Sequence, residues 1–302
     1  DQLSYKRKIL SIEQYQFGLL VVSGLLKKFV FASNLSEYVF PVIDQPHNYG
    51  GLTVIIATLL SKFLLYYDLS GYSDMAVGIS GFYGIRLTEN FRRPLWTHNM
   101  KDFWTRWHIS VTTWIRDYIF YPFLTTRIIR TGLLGVLLIT FVLFGLWHGF
   151  TLPFLVYGMI QAVLIRFNNG FERLYSFLRL KDGLFSKIIK WFLFYPVFIA
   201  LPCVLFFSNS LAAFLNFLSF LPSAPVMPLD LYFNLSRVPL FTVLVLGACF
   251  EVATYWGRNF DLARWLQKKN YVVQLLLGLG LVMSFLAVAK LNEGTEFIYG
   301  GF

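Results

Sequence analysis

Charge is scarce in this chain. Asp, Glu, Lys and Arg supply 14% of its 302 residues, where a soluble domain carries about 25%. Hydrophobic residues supply 57%, and Phe alone occurs 33 times. That is too little polar surface to coat a water-soluble fold. A bilayer removes the difficulty, because the outside of the protein is then apolar too. Cysteine is nearly absent: Cys203 and Cys249 each fall inside an apolar run. A disulfide framework is excluded, and both are expected as buried free thiols. Histidine occurs four times, with no Cys/His cluster at metal spacing, so no metal site is expected. There is no phosphate-cradling loop either. Gly78-Ile-Ser-Gly-Phe-Tyr-Gly84 repeats glycine every third residue, but in an apolar helical setting, which predicts helix packing through small residues. Internal repeats and low-complexity tracts are lacking.

The net charge of +10 would suggest nucleic acid in a soluble protein. Here the basic residues sit in short stretches between apolar runs, which is the positive-inside pattern of membrane proteins. No nucleic-acid partner is expected; membrane lipid is. The chain opens Asp-Gln-Leu-Ser-Tyr-Lys-Arg-Lys with no signal-peptide pattern. An internal start is expected, with N-terminal spans lying outside the sequence.

What is present is a series of apolar runs, read as helices because a backbone in lipid must bond to itself. The first covers 15–32, with Lys27-Lys28 marking a span end or an interfacial stretch. The second covers 52–67 and passes into a glycine-rich stretch, 68–84, expected to break or tilt. Further runs cover 132–147, 153–167, 191–207, 239–256 and 271–289, with a nearly uncharged stretch at 210–236. The basic linkers 86–131, 166–190 and 257–269 are expected in the cytoplasm, and the segments 33–50, 208–238 and the tail after Lys290 outside. The fold class is all-α and polytopic, a single transmembrane domain over 1–302.

His148 stands out. It lies between two apolar runs, in Phe-Gly-Leu-Trp-His-Gly-Phe. The run before it is short: 16 residues reach about 24 Å, against a hydrocarbon core of about 30 Å. An imidazole at that depth needs a partner or a polar cavity, and when neutral it can take a proton from an alcohol. A hydrogen-bonded structural histidine is the competing reading. His108 lies in Asp102-Phe-Trp-Thr-Arg-Trp-His-Ile-Ser-Val-Thr-Thr-Trp-Ile-Arg-Asp117. Read as one helix, this places Arg106, Ser110, Thr113 and Asp117 near one face. Composition alone favours an interfacial aromatic belt there. His47 and His98 read as solvated loop residues. Asp68 and Asp74, around Ser70-Gly-Tyr-Ser73, read most economically as helix-break and capping residues.

Four ordered motifs carry a family resemblance. They are Asp68-Leu-Ser-Gly-Tyr-Ser-Asp-Met-Ala76, Glu89-Asn-Phe-Arg-Arg-Pro94, Phe103-Trp-Thr-Arg-Trp-His-Ile-Ser110 with Thr113-Trp-Ile-Arg-Asp-Tyr118, and Leu146-Trp-His-Gly149. The chain resembles the membrane-bound O-acyltransferase family from about Lys6 to Phe302. The likeness is greatest to its bacterial branch that acetylates alginate, and more distant to the branch that D-alanylates teichoic acid. It departs where Phe206-Phe207-Ser208 replaces Phe-Phe-Arg, and where Gly-Gly-Asn-Arg does not follow Tyr121-Pro122.

The resemblance implies a ring of helices around a tunnel, with His148 as base and His108 as the second catalytic histidine. It implies that Asp68, Tyr72, Ser73, Asp74, Asn90, Arg93, Trp104, Arg106, Trp107, Trp114, Arg116, Asp117 and Trp147 shape the tunnel or touch substrate. It also implies no bound cofactor and no metal. A thioester donor, acetyl-CoA or an acyl-carrier protein, would serve as co-substrate. The acceptor would be a polysaccharide or protein outside a bacterial inner membrane. Deep polar groups and broken helices also suit a transporter or flippase, which would leave the acyl group in place.

Overall fold

The computed structural model describes residues 9–126, 132–181, 183–223, 240–256 and 262–289. Every regular element among the described residues is helical. Three helices are long and apolar enough to cross a bilayer: α1 (Ser11–Asp44), α2 (Gly51–Phe82) and, later in the chain, Leu184–Phe207. Between α2 and that helix come α3 (Met100–Trp104), α4 (Ile109–Ile115), α5 (Gly132–His148), α6 (Leu152–Arg166) and α7 (Asn169–Phe177). The long helix Leu184–Phe207 is α8. It is followed by α9 (Leu211–Ser219), α10 (Leu240–Trp256), α11 (Leu262–Gln267) and α12 (Tyr271–Val288).

The described residues belong to two compact units. One draws on 9–38, 64–89, 240–256 and 262–289, the other on 39–63, 90–126, 132–181 and 183–223. Side chains such as Leu275, Leu276, Leu279 and Met283 stand outward on α12. An apolar face of that extent suits lipid and not water. Cys249 is likewise exposed, so only Cys203 is the buried thiol the sequence predicts for both.

In the first unit, three expectations are corrected. Lys27-Lys28 does not end a span, because α1 runs through it with a wider π turn at Leu26–Ala32. Lys27 pairs with Asp74 at 2.7 Å and Lys28 pairs with Asp68, so both charges are matched inside the unit. The two aspartates therefore lie in mid-helix as ion-pair partners and cap nothing. The glycine-rich stretch does not break either, since α2 is unbroken to Phe82. Its glycines are where α1 comes closest. A Cβ on Gly71 would lie 2.8 Å from the Gly24 carbonyl oxygen, and one on Gly78 would lie 2.7 Å from that of Phe17. Glycine is retained for close helix approach, as expected for Gly78.

In the second unit, α5 and α6 form a tight hairpin. Pro153 sits in the first turn of α6, where its missing N–H costs nothing. A Cβ at Gly145 would collide with the Phe154 carbonyl, and one at Gly158 with the Phe141 carbonyl. The two backbones meet there, and the hairpin holds His148 at the end of α5. We expect Gly158→Val to force the helices apart, costing about 1–3 kcal/mol or more. Thermal melting of the purified protein checks this; an unchanged melting temperature contradicts it. Helix α8 widens into a π stretch at Tyr195–Ala200, which contains Pro196 and is followed by Pro202, two residues with no N–H to donate.

Candidate active site

His148 is 3% exposed. Rings surround it: Trp147 at 4.7 Å between centroids, Phe144 and Phe206 at 5.0 Å, and Phe154 stacked at 5.9 Å. Phe206 is itself held edge-on by Tyr157 at 4.5 Å. Three helices of one unit thus build the box: α5 supplies Phe144, Trp147 and the histidine, α6 supplies Phe154 and Tyr157, and α8 supplies Phe206. Burial and aromatic enclosure exclude bulk water from this imidazole.

His108 reaches the same cluster from another segment. Its ring lies 6.1 Å from Trp147 and 5.8 Å from Phe91. The sequence predicts one helix through this region, but α3 ends at Trp104 and α4 begins at Ile109. His108 itself adopts left-handed backbone, φ 46°, which is unusual outside glycine. Asn90 stabilises the break. Its carbonyl accepts the Ile109 N–H at 2.9 Å. Its side-chain Oδ1 accepts the Ser110 N–H and Ser110 hydroxyl, both at 3.0 Å. The same oxygen lies 3.2 Å from His108 Nδ1. Since Oδ1 only accepts, Nδ1 carries the proton and Nε2 keeps its lone pair. Burial pushes the His108 pKa down to about 4, so this ring is neutral at physiological pH.

Other bonds pin the surrounding loop. Asn99 caps α3 through the Asp102 N–H. Asn168 accepts the Lys101 N–H, Tyr175 donates to the His98 carbonyl, and Trp191 donates to the Leu95 carbonyl. His98 is therefore half-buried, a correction to its reading as a solvated loop residue, and burial lowers its pKa. His47 is exposed in a short turn, as expected.

The remaining candidates divide clearly. Asn90, Trp104, Trp107, Trp147 and His108 gather near His148 in one unit. Trp104 packs on Phe141 and Phe144 at 5.0 and 5.2 Å, and Trp107 stacks on Phe103 at 5.5 Å. Arg93 is a left-handed residue of the same loop, and Arg106 pairs with Asp102 at 2.7 Å. Trp114 lies exposed against Tyr118, and Arg116 pairs with Asp117 at the surface. Asp68, Tyr72, Ser73 and Asp74 belong to the other unit. Among the described residues, no group of three or more His, Cys, Asp or Glu could hold a metal ion.

Sequence reasoning missed Lys62, whose ammonium lies 3.6 Å from the Trp107 ring centroid and 5.9 Å from that of Phe206. The available signal was a lone charge inside the apolar run 52–67. It also missed Phe144, Phe154 and Tyr157, which no pattern distinguishes from ordinary core aromatics.

Known proteins share part of this sequence. The chain is 31% identical over 211 residues to the peptidoglycan O-acetyltransferase of Helicobacter pylori, covering 69% of this chain and 39% of that protein. It is 34% identical over 161 residues to the teichoic acid D-alanyltransferase of Bacillus subtilis, covering 50% and 40%. It is 35% identical over 140 residues to a probable alginate O-acetylase of Azotobacter vinelandii, covering 45% and 27%. The chain thus spans two fifths or less of the length of these relatives. Residues 2–211 match the membrane-bound O-acyltransferase family, and with its membrane helices and the buried histidine between α5 and α6, the chain belongs to that family.

Proposed function

We propose that this chain carries the transfer centre of an enzyme that moves an acetyl group from a cytoplasmic thioester to a hydroxyl of a cell-surface polysaccharide. The membrane is the bacterial inner membrane, crossed several times. The observation that carries the reading is His148, an imidazole enclosed by aromatic rings, with neutral His108 also against Trp147. Relatives named for acetylating peptidoglycan or alginate support the acetyl group and the polymer.

His148 takes the proton of the acceptor hydroxyl as its oxygen attacks the thioester carbonyl carbon. The tetrahedral intermediate then collapses, the carbon–sulfur bond breaks, and the departing thiolate recovers that proton from the imidazolium. General-base assistance contributes about 10²–10⁴-fold, and holding both substrates in line adds to it. The donor is acetyl-CoA or an acylated carrier protein, and no bound cofactor takes part. His108, with Nδ1 fixed by Asn90, presents Nε2 as a second acceptor to orient the hydroxyl.

The test joins chemistry to topology. Membranes holding the full-length protein, given native cytosol and radiolabelled acetyl-CoA, should place alkali-labile label on surface polymer. Cysteine substituted at exposed Leu178 should react only from the cytoplasm, and one at His47 only from outside. No label from acetyl-CoA on surface polymer, with label from radiolabelled D-alanine reaching teichoic acid instead, would redirect the reading to the D-alanyl group. Reactivity of the two cysteines from the opposite sides would overturn the orientation.

A further inference from the structure

Lys62 is the single charged residue in the run 52–67. It is 1% exposed. Its ammonium lies among three rings, 3.6 Å from the centroid of Trp107, 5.4 Å from Phe103 and 5.9 Å from Phe206. The Cys203 thiol is its electrostatic neighbour. Among the described residues, no carboxylate pairs with it and no hydrogen-bond acceptor takes its protons. Ring faces offset part of the loss of water, but they satisfy none of the three N–H donors. A buried cation in this state is costly to retain.

Its position gives it a use. The Phe206 ring that lies 5.9 Å from the Lys62 ammonium also lies 5.0 Å from the His148 ring, so base and cation flank one side chain. We propose that Lys62 binds the oxyanion that forms on the acyl carbonyl during transfer. This rests on the acyl-transfer reading of His148. As the hydroxyl oxygen bonds to the carbonyl carbon and its proton passes to His148, the carbonyl π pair moves onto oxygen. The Lys62 ammonium donates hydrogen bonds to that oxygen. When the pair returns, the carbon–sulfur bond breaks and the thiolate leaves with the proton from His148. Surroundings without water strengthen such a contact, and it acts only where charge develops. A permanent substrate anion on Lys62 would instead stabilise bound substrate and transition state alike, and would not raise kcat.

The experiment compares Lys62→Met and Lys62→Arg in the full-length protein, with radiolabelled acetyl-CoA and native cytosol as the donor source. Lys62→Met should lower kcat about 10²–10³-fold, with the donor KM changed by less than about threefold. Lys62→Arg should recover at least about tenfold of that loss, because the guanidinium keeps charge and donors. Lys62→Met should also melt no lower than wild type, since it removes a buried cation that lacks an anion. A Lys62→Met kcat within about fivefold of wild type, alongside an inactive His148→Gln, would overturn the role of Lys62 alone. A loss confined to KM, or one matched by loss of folded protein, would overturn it as well. Absence of transfer in the wild type would instead overturn the acyl-transfer reading beneath it.

Discussion

His148→Gln is expected to abolish acyl transfer, a fall of about 10²–10⁴-fold, while membrane insertion and donor binding stay intact. Glutamine keeps one donor and one acceptor near the imidazole positions, but it cannot take a proton at neutral pH. It therefore separates proton transfer from hydrogen bonding. His148→Ala should be equally inactive, but it also opens space among Phe144, Phe154 and Phe206, so its melting temperature should drop further than that of the Gln variant. The measurement is single-turnover acetyl transfer at equal amounts of folded full-length protein. A Gln variant that keeps most of the activity would reduce His148 to a positioning residue.

The second large effect is on stability. Asp68 is almost fully buried in α2 and pairs with Lys28 of α1. Asp68→Ala leaves a buried ammonium without this carboxylate, a loss of about 3–5 kcal/mol. Total stabilities run to only about 5–15 kcal/mol, so much of the folded protein should disappear from detergent extracts. The double variant Lys28→Met, Asp68→Leu should recover it, because an apolar pair of similar size replaces the ion pair. Equal melting temperatures for wild type and Asp68→Ala would show that the pair does not hold these helices together.

Much of this protein can be read before it folds. The apolar runs locate most of the helices, because lipid permits no other arrangement of an exposed backbone. The run before His148 is correctly short: α5 has 17 residues, about 25 Å. Two local rules misled at α1 and α2. A lysine pair ordinarily marks water, and glycines with aspartates ordinarily mark a break. Here each lysine meets an aspartate about 40 residues or more away, and Gly71 and Gly78 meet the backbone of another helix. Neither partner is visible in a local window. At His108 the helical period is sound on both sides of the turn, but three acceptor contacts from Asn90, 18 and 20 residues upstream, favour the break.

The sequence by itself determined that the chain is a helical membrane protein, that His148 lies at the end of a short apolar helix, and that four motifs follow in a family's order. Periodicity and composition act over a few residues, and those conclusions need no more. Tertiary structure alone decided which rings enclose that histidine. Phe206 reaches it from α8, Lys62 shares the Phe206 ring from α2, and His108 arrives from a turn held by Asn90. These partners lie tens of residues apart, and aromatic residues recur through the described helices. Only close packing of the α5–α6 hairpin, set by glycines that let two backbones touch, selects the few rings that surround the imidazole.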